Sequence, residues 1–173
     1  YNALTALTTG DYNNAMGNSA GYATTTASGS VFIGSVAGGS VTTGNMNIAI
    51  GYDALNGATT TGDNNIAIGR SAGDAITSGY DNVLVGREAG GAITTGYRNT
   101  AVGFAALTAL TEGLFNVAVG VGALATSVDG DYNTAVGYQA LNAFEGGSDD
   151  GENTAVGYRA ALTLSTGTKN TAV

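Results

Sequence analysis

The sequence predicts an all-β protein, a parallel β-solenoid (β-roll) of about ten coils of 17 residues each. Three observations lead to this prediction. The pattern Asn-x-Ala-Val/Ile-Gly recurs along the whole chain at a nearly constant spacing, its residues are typical of strands, and Thr-Gly turns separate many of the repeats. Self-similarity at a fixed short period is the signature of repeat architectures, in which each unit packs against its neighbours.

The repeat is defined by two columns of the sequence. The asparagine position holds Asn13, Ser30, Asn47, Asn65, Asn82, Asn99, Asn116, Asn133, Asn153 and Asn170. The glycine position holds Gly17, Gly34, Gly51, Gly69, Gly86, Gly103, Gly120, Gly137 and Gly157. Successive glycines are 17 residues apart, except for spacings of 18 and 20 that end at Gly69 and Gly157. Alanine follows each of these glycines by three residues.

The ends of the chain are in phase with the repeat. The first four residues read as the second half of a unit, and residues 170–173 stop where the next glycine would fall. Solenoids carry atypical polar caps at their ends, and none is visible. We therefore expect residues 1–173 to be a single tandem-repeat segment of a longer fibre, or a segment whose copies stack end to end into a filament.

Each unit is predicted to hold two short strands, the Asn-x-Ala-x-Gly motif and the stretch after its glycine. Val, Ile and Thr in the motif favour a strand, and a glycine every few residues would destabilise a helix by about 1 kcal/mol each. A coil that advances by one strand spacing, about 4.8 Å, gives ten coils a length of about 48 Å.

The two faces of the first strand differ in size, because alternate side chains point to opposite sides. The middle residue is Ala in eight units, with Phe32 and Leu84 as exceptions, whereas the residue before the glycine is bulky and apolar in all ten. We expect the small stripe to pack inside the coil. The bulky stripe needs a further partner, and each Val or Ile removed from water contributes about 1.5–3 kcal/mol.

That partner is predicted to be another chain, which makes the bulky stripe an oligomer interface. The predicted interface residues are Ile33, Ile50, Ile68, Val85, Val102, Val119, Val136 and Val156. The alternative is a monomer whose bulky stripe faces a three-sided interior.

The repeat asparagines and glycines are predicted to be structural. Stacked asparagines can form a hydrogen-bonded ladder along the axis, or they can act as turn formers, and the glycines are expected at turns with positive φ. This structural set comprises Asn47, Gly51, Asn65, Gly69, Asn82, Gly86, Asn99, Gly103, Asn116, Gly120, Asn133 and Gly137.

Residues 133–141, Asn-Thr-Ala-Val-Gly-Tyr-Gln-Ala-Leu, resemble the repeats of bacteriophage tail fibres. Residues 47–51 and 30–34 resemble the head repeats of trimeric autotransporter adhesins, the YadA-like head, although the units here are longer by an added Thr-Gly turn. The resemblance covers essentially the whole chain. It implies a left-handed, homotrimeric β-roll outside the cell, on a cell surface or on a virion, where it forms a rigid shaft or head for attachment.

The insertion in the longest unit carries three carboxylates, Asp149, Asp150 and Glu152. They are a candidate Ca²⁺ site, since Ca²⁺ takes six to eight oxygen ligands. Their spacing matches neither an EF-hand nor a nonapeptide calcium roll, so a solvated loop is favoured and no cofactor is expected.

The chain has no His and no Cys. Because the usual nucleophile–base pairs are therefore missing, we expect no enzymatic activity.

Composition also limits the partners. The net charge is −8 and the five basic residues are scattered, whereas nucleic-acid binding needs clustered Lys and Arg. The sequence contains no run of 18 apolar residues, the length that a membrane-spanning helix needs, so no membrane insertion is expected.

Aromatic residues follow the repeat glycine (Tyr52, Phe104, Tyr138, Tyr158) or precede the asparagine (Tyr12, Tyr97, Tyr132). They are interpreted as a ladder of stacked rings or, alternatively, with the Thr-rich turns, as a surface that binds carbohydrate or a host cell.

Overall fold

The computed structural model describes residues 2–145 and 151–173. This part of the chain contains ten short strands and no helix, and the strands form one parallel sheet in chain order. The prediction of an all-β solenoid is therefore confirmed. The strands are β1 (Asn14–Met16), β2 (Val31–Ile33), β3 (Ile48–Ile50), β4 (Ile66–Ile68), β5 (Val83–Val85), β6 (Thr100–Val102), β7 (Val117–Val119), β8 (Thr134–Val136), β9 (Thr154–Val156) and β10 (Thr171–Ala172). Each coil takes the number of its strand.

Every strand pairs with the next at the same repeat position, so columns of the sequence become columns in space. Ile50, for example, lies between Ile33 and Ile68. Hydrogen bonds of 2.8 Å fix both ends of a strand: the Ile48 N–H donates to the Asn65 carbonyl, and the Gly51 N–H donates to the Ile33 carbonyl. The two longer spacings leave the register of β3–β4 and β8–β9 unchanged. The extra residues are therefore accommodated in the connections between strands.

The prediction of a second strand in each coil is wrong. The described stretches after the repeat glycines consist of turns, and in coil 3 Asp53 and Leu55 have φ values of 64° and 50°. This left-handed conformation costs a non-glycine residue roughly 1–2 kcal/mol. Hydrogen bonds to the coils on either side offset that cost, since the Asp53 N–H donates to Ser35 (3.2 Å) and the Leu55 N–H donates to Ala72 (3.1 Å).

One apolar core runs along the axis inside the coils. The middle residues of the strands point inward, and Phe32, Ala49 and Ala101 are fully buried. The alanines three positions after the repeat glycines, such as Ala54 and Ala106, are fully buried in the same core cluster. The prediction that the small stripe packs inside the coil is confirmed, although it packs on turns and not on a second strand.

Large core residues come either from the strand or from the turn of a coil. A Cβ atom on Gly73 or Gly90 would lie 2.7 Å from a methyl carbon of Leu84, so these turn positions must be glycine beside a large strand residue. In coil 6 the strand residue is the small Ala101, and leucine, Leu107, occupies the turn position that corresponds to Gly90. The interior is thus filled by two arrangements of side chains, from the strand in coils 2 and 5 and from the turn in coils 3 and 6–8.

Candidate assembly face

The residues on either side of the buried strand centre point away from the core, so the sheet presents two parallel columns to solvent. The column before the repeat glycine contains the eight predicted interface residues, and the register of the sheet aligns them. In the single chain each of them is half-buried or exposed; Val102 and Val156 are 36% and 39% exposed. The alternative in which this stripe faces the interior is therefore wrong.

The second outward column begins each strand and changes its chemistry along the axis. In coils 2–5 it consists of Val31, Ile48, Ile66 and Val83. In coils 6–9 it consists of Thr100, Val117, Thr134 and Thr154. In coils 2–5 both columns are therefore apolar. In coils 6–9 only the column before the repeat glycine is apolar throughout. We refer to the two columns of coils 2–9 as the assembly face, since they are the candidate surface for contact with another chain.

Two further columns border the assembly face. The leading edge is the column immediately before the repeat asparagine in coils 3–8: Met46, Asn64, Asp81, Arg98, Phe115 and Tyr132. The trailing edge is the column immediately after the repeat glycine in the same coils: Tyr52, Arg70, Arg87, Phe104, Val121 and Tyr138. Every trailing-edge residue is exposed, and the leading-edge residues are exposed or half-buried. Sequence reasoning found some of these aromatic residues but missed that the two columns flank one apolar surface.

Aromatic rings next to the face stack on one another along the axis. The near-parallel pairs are Tyr80–Tyr97, Phe115–Tyr132 and Tyr138–Tyr158, with ring centroids 4.7, 5.1 and 5.4 Å apart. Arginines add to the stacks: the guanidinium of Arg87 lies 4.2 Å from the centroid of Phe104. Among the residues predicted to form a ladder, stacking on another ring is confirmed for Tyr97, Tyr132, Tyr138 and Tyr158. Their ring faces are partly occupied by neighbours from the same chain.

The repeat asparagines form a buried ladder and also hold the turns, so the two interpretations apply together. The Asn99 N–H and Nδ2 donate to Oδ1 of Asn82, at 3.0 and 3.2 Å. Nδ2 of Asn99 also donates to the carbonyl of Gly113 in the turn that precedes β7, at 2.8 Å. With little variation the same bonds recur from Asn65 to Asn170. Burial of these amides is possible because their donors and acceptors are satisfied.

The repeat glycines occupy a backbone conformation that side chains rarely adopt. The φ angle is 138° at Gly86 and 136° at Gly103. A Cβ atom on Gly86 would lie 2.7 Å from the carbonyl carbon of Gly103 in the next coil. The prediction of turns with positive φ is confirmed, and the close approach of successive backbones is a second reason for glycine.

The predicted acidic site is only partly described. Asp149 and Asp150 lie outside the described residues. Glu152 is exposed, and its carboxylate lies 4.0 Å from Nζ of Lys169. Over residues 2–145 and 151–173, no three His, Cys, Asp or Glu side chains are grouped so that they could hold a metal ion. The calcium site stays a prediction.

A second acidic feature was missed by sequence reasoning, an open groove of about 350 Å³ lined by Glu112, Leu114, Asp129 and Asp131. Burial raises the pKa of Asp131, and the charge of Asp129 adds to the shift. Both aspartates already accept hydrogen bonds from the chain, Asp131 from the Leu114 N–H (2.8 Å) and Asp129 from the Thr111 hydroxyl (2.7 Å). We interpret them as groups that stabilise the turns.

The chain matches no protein-family model, no curated protein and no solved structure. The described residues include no helix with the length and apolarity needed to cross a bilayer. The function is therefore argued from the geometry of the columns.

Proposed function

We propose that this chain is a structural segment of an attachment fibre outside the cell, such as a cell-surface adhesin or the tail fibre of a virion. Several copies would pack through the assembly face into a rigid shaft or head. The supporting observation is the long row of aligned, partly exposed Ile and Val side chains on one side of a continuous ten-stranded sheet. The proposal includes no catalysis and no cofactor.

The interior of the coil supports the mechanical part of the proposal. Besides the asparagine ladder, a column of threonines ties the coils together along the axis: the hydroxyl groups of Thr25, Thr77 and Thr94 donate to the carbonyls of Thr42, Thr94 and Thr111, at 3.1–3.2 Å. Bending the rod would stretch hydrogen bonds on one side. A stiff, regular rod is what a shaft that displays a receptor-binding part requires.

The assembly face supports the oligomeric part. Exposure to water of a row of Val and Ile that runs the length of the sheet is unfavourable, because burial of apolar surface contributes about 25 cal/mol per Å² to the free energy of association. A second copy of the same chain offers an equally long row with the same spacing between coils. We propose a homotrimer, the state that the resemblance to adhesin heads implies, closed around an axis parallel to the axis along which the coils stack.

The test is the mass of the protein in solution, measured by sedimentation equilibrium, with negative-stain electron microscopy to distinguish a rod from a globule. We expect a homotrimeric rod. Ile50→Asp should shift the mass to the monomer, since a buried unpaired charge costs several kcal/mol. The matched control is Thr43→Asp, an exposed residue in the turn preceding the same strand, which should leave the mass unchanged. A monomeric parent protein, or equal masses for both variants, would contradict the proposal.

A second candidate is a module that binds carbohydrate or a host-cell surface. It is favoured by the exposure of Tyr52 and Tyr158, at 56% and 71%. The stacking of Tyr158 on Tyr138 leaves fewer ring faces free for sugars, so this candidate has less support than the fibre. Binding of the segment to a glycan array, abolished by Tyr52→Ala or Tyr158→Ala without a change in oligomer mass, would favour it.

A further inference from the structure

We infer that the two edges of the assembly face recognise each other between copies. The leading edge of one chain would pack, coil against coil, on the trailing edge of the next chain, with the two chains parallel and in register. This inference rests on the proposed function, because it requires a second copy of the same chain. It adds which residues of the two edges meet across the contact.

The two edges of one chain cannot touch each other. They lie at opposite ends of strands of three residues, which span about 10 Å at 3.3 Å per residue. In a ring of parallel copies around the fibre axis, each contact is heterologous and brings the leading edge of one copy to the trailing edge of its neighbour. An antiparallel pair placed side by side would bring each edge against itself.

The charges of coils 4 and 5 match across such a contact. In coil 5 the leading edge carries Asp81 and the trailing edge carries Arg87, whose side chains are 36% and 53% exposed in the single chain. In coil 4 the trailing edge carries Arg70, and the leading edge carries the polar Asn64 with the exposed Asp63 beside it. A parallel, in-register neighbour therefore places the carboxylate of Asp81 opposite Arg87 in coil 5 and the neutral Asn64 opposite Arg70 in coil 4.

The next three coils match in a different way. In coil 6 Arg98 would face Phe104, a cation–π pair. In coil 7 Phe115 would face Val121, and in coil 8 Tyr132 would face Tyr138, so that apolar side chains meet apolar side chains. The side chains thus change from charged to apolar after coil 6 on the leading edge and after coil 5 on the trailing edge.

Other registers break this match. A shift of one coil in one direction places Asp81 opposite Phe104 and Arg98 opposite Val121, which leaves both charges against apolar groups. A shift in the other direction keeps one ion pair, Asp81 opposite Arg70, but places Arg98 opposite Arg87. Such unfavourable pairs discriminate against wrong alignments. Within one chain Asp81 already lies 3.5 Å from Arg98, an exposed ion pair of small stabilising effect, so its carboxylate can accept a further cation from a neighbour.

Cysteine cross-linking tests the register directly, since the chain has no cysteine of its own. A chain with both Met46→Cys and Tyr52→Cys carries one thiol on each edge of coil 3. We expect mild oxidation to link these chains into covalent dimers and trimers on a denaturing gel. The control, Met46→Cys with Phe104→Cys, places the thiols three coils apart, about 14 Å along the axis, which is beyond the reach of a disulfide. It should remain monomeric on the same gel.

Charge exchange provides a second measurement. Asp81→Arg and Arg87→Asp should each raise the dissociation constant for self-association at least tenfold, and the double exchange should restore it to within about threefold of the parent value. Strictly additive single effects would contradict the pairing.

A parent oligomer that cross-links equally in the coil 3 variant and its control, or in neither, overturns this inference alone. Self-linking of the single Met46→Cys chain would indicate antiparallel packing and would also overturn it. A monomeric parent overturns the proposed function as well.

Discussion

Coils 2–5 and coils 6–9 share the same strand register but differ in the side chains that fill their cores, although coil 3, with Ala49 and Leu55, has the arrangement of coils 6–8. In coils 2 and 5 the core is filled from the strand, by Phe32 and Leu84. In coils 6–8 the strand residue is alanine, and a leucine from the turn fills the core instead: Leu107, Leu124 and Leu141. The backbone pairing is the same in both regions. The repeat therefore constrains the backbone more tightly than the origin of each large core side chain.

The outward face differs between the same two regions. Both columns are apolar in coils 2–5, whereas threonine replaces Val or Ile in one column of coils 6, 8 and 9. If the face is an interface between copies, coils 2–5 should contribute more apolar burial to assembly. The later coils are bordered by the edge-to-face pair Tyr97–Phe115 and the stacked pair Phe115–Tyr132.

The largest expected effect tests whether both regions depend on the same glycine column. Gly86→Val and Gly120→Val should each destabilise the fold by about 4 kcal/mol or more, because φ is 138° and 134°. The new Cβ would also lie 2.7 and 2.6 Å from the carbonyl carbons of Gly103 and Gly137. Urea unfolding measures both. Tolerance of one substitution and not the other would show that the two regions differ in backbone as well as in side chains.

The next effect converts one type of core into the other. Leu84→Ala should cost about 2–5 kcal/mol, as for other buried leucines. Gly90→Leu alone should also destabilise, since its side chain would collide with Leu84. The double variant reproduces the arrangement of coil 6 and should recover at least half of the loss. The double-mutant cycle in urea gives the coupling energy, and a coupling near zero would contradict the exchange of volume.

A smaller effect compares the asparagine ladder with its interruption in coil 2, where Ser30 accepts the Asn47 N–H at 3.1 Å. Asn116→Ala leaves the Asn133 N–H without its acceptor and the Gly130 carbonyl without its donor, and should cost about 2–3 kcal/mol. Asn116→Ser keeps an acceptor and should cost about 1 kcal/mol less. Equal unfolding free energies for the two variants would contradict this account of coil 2.

The smallest effect concerns Asp74 in coil 4. Burial raises its pKa above the ordinary value of 3.8, and the charges of Asp53 and Glu88 add to the shift. Because the pKa is higher in the folded state, ionisation of Asp74 opposes folding, and stability increases as the pH falls through the raised pKa towards 3.8. Asp74→Asn should raise Tm at pH 7 by about 1–2 °C. The difference should vanish once the pH lies well below 3.8 in a calorimetric pH series, and a gain that persists there would contradict the electrostatic explanation.

Much of the fold follows from the sequence alone because identical residues recur at a constant interval. That recurrence determined the number of coils, the parallel order of the strands and their register. Strand alternation then determined that Ala49 points inward and Ile50 outward. Positive φ at Gly86 was predictable for the same reason, since a residue that recurs at one position of every coil indicates one backbone requirement.

Only the tertiary structure decided what lies between the strands. Segments such as residues 52–55 are apolar enough for a strand, but their N–H groups find carbonyls in adjacent coils only when the chain turns. The pairing of Leu84 with Gly73 and Gly90 was also invisible in the sequence, because these residues lie in different parts of the repeat. The same holds for Asp81 and Arg87, which are six residues apart in the chain and belong to opposite edges of one surface. Periodicity specifies which residues share a column, whereas packing and hydrogen bonding between coils specify which columns meet.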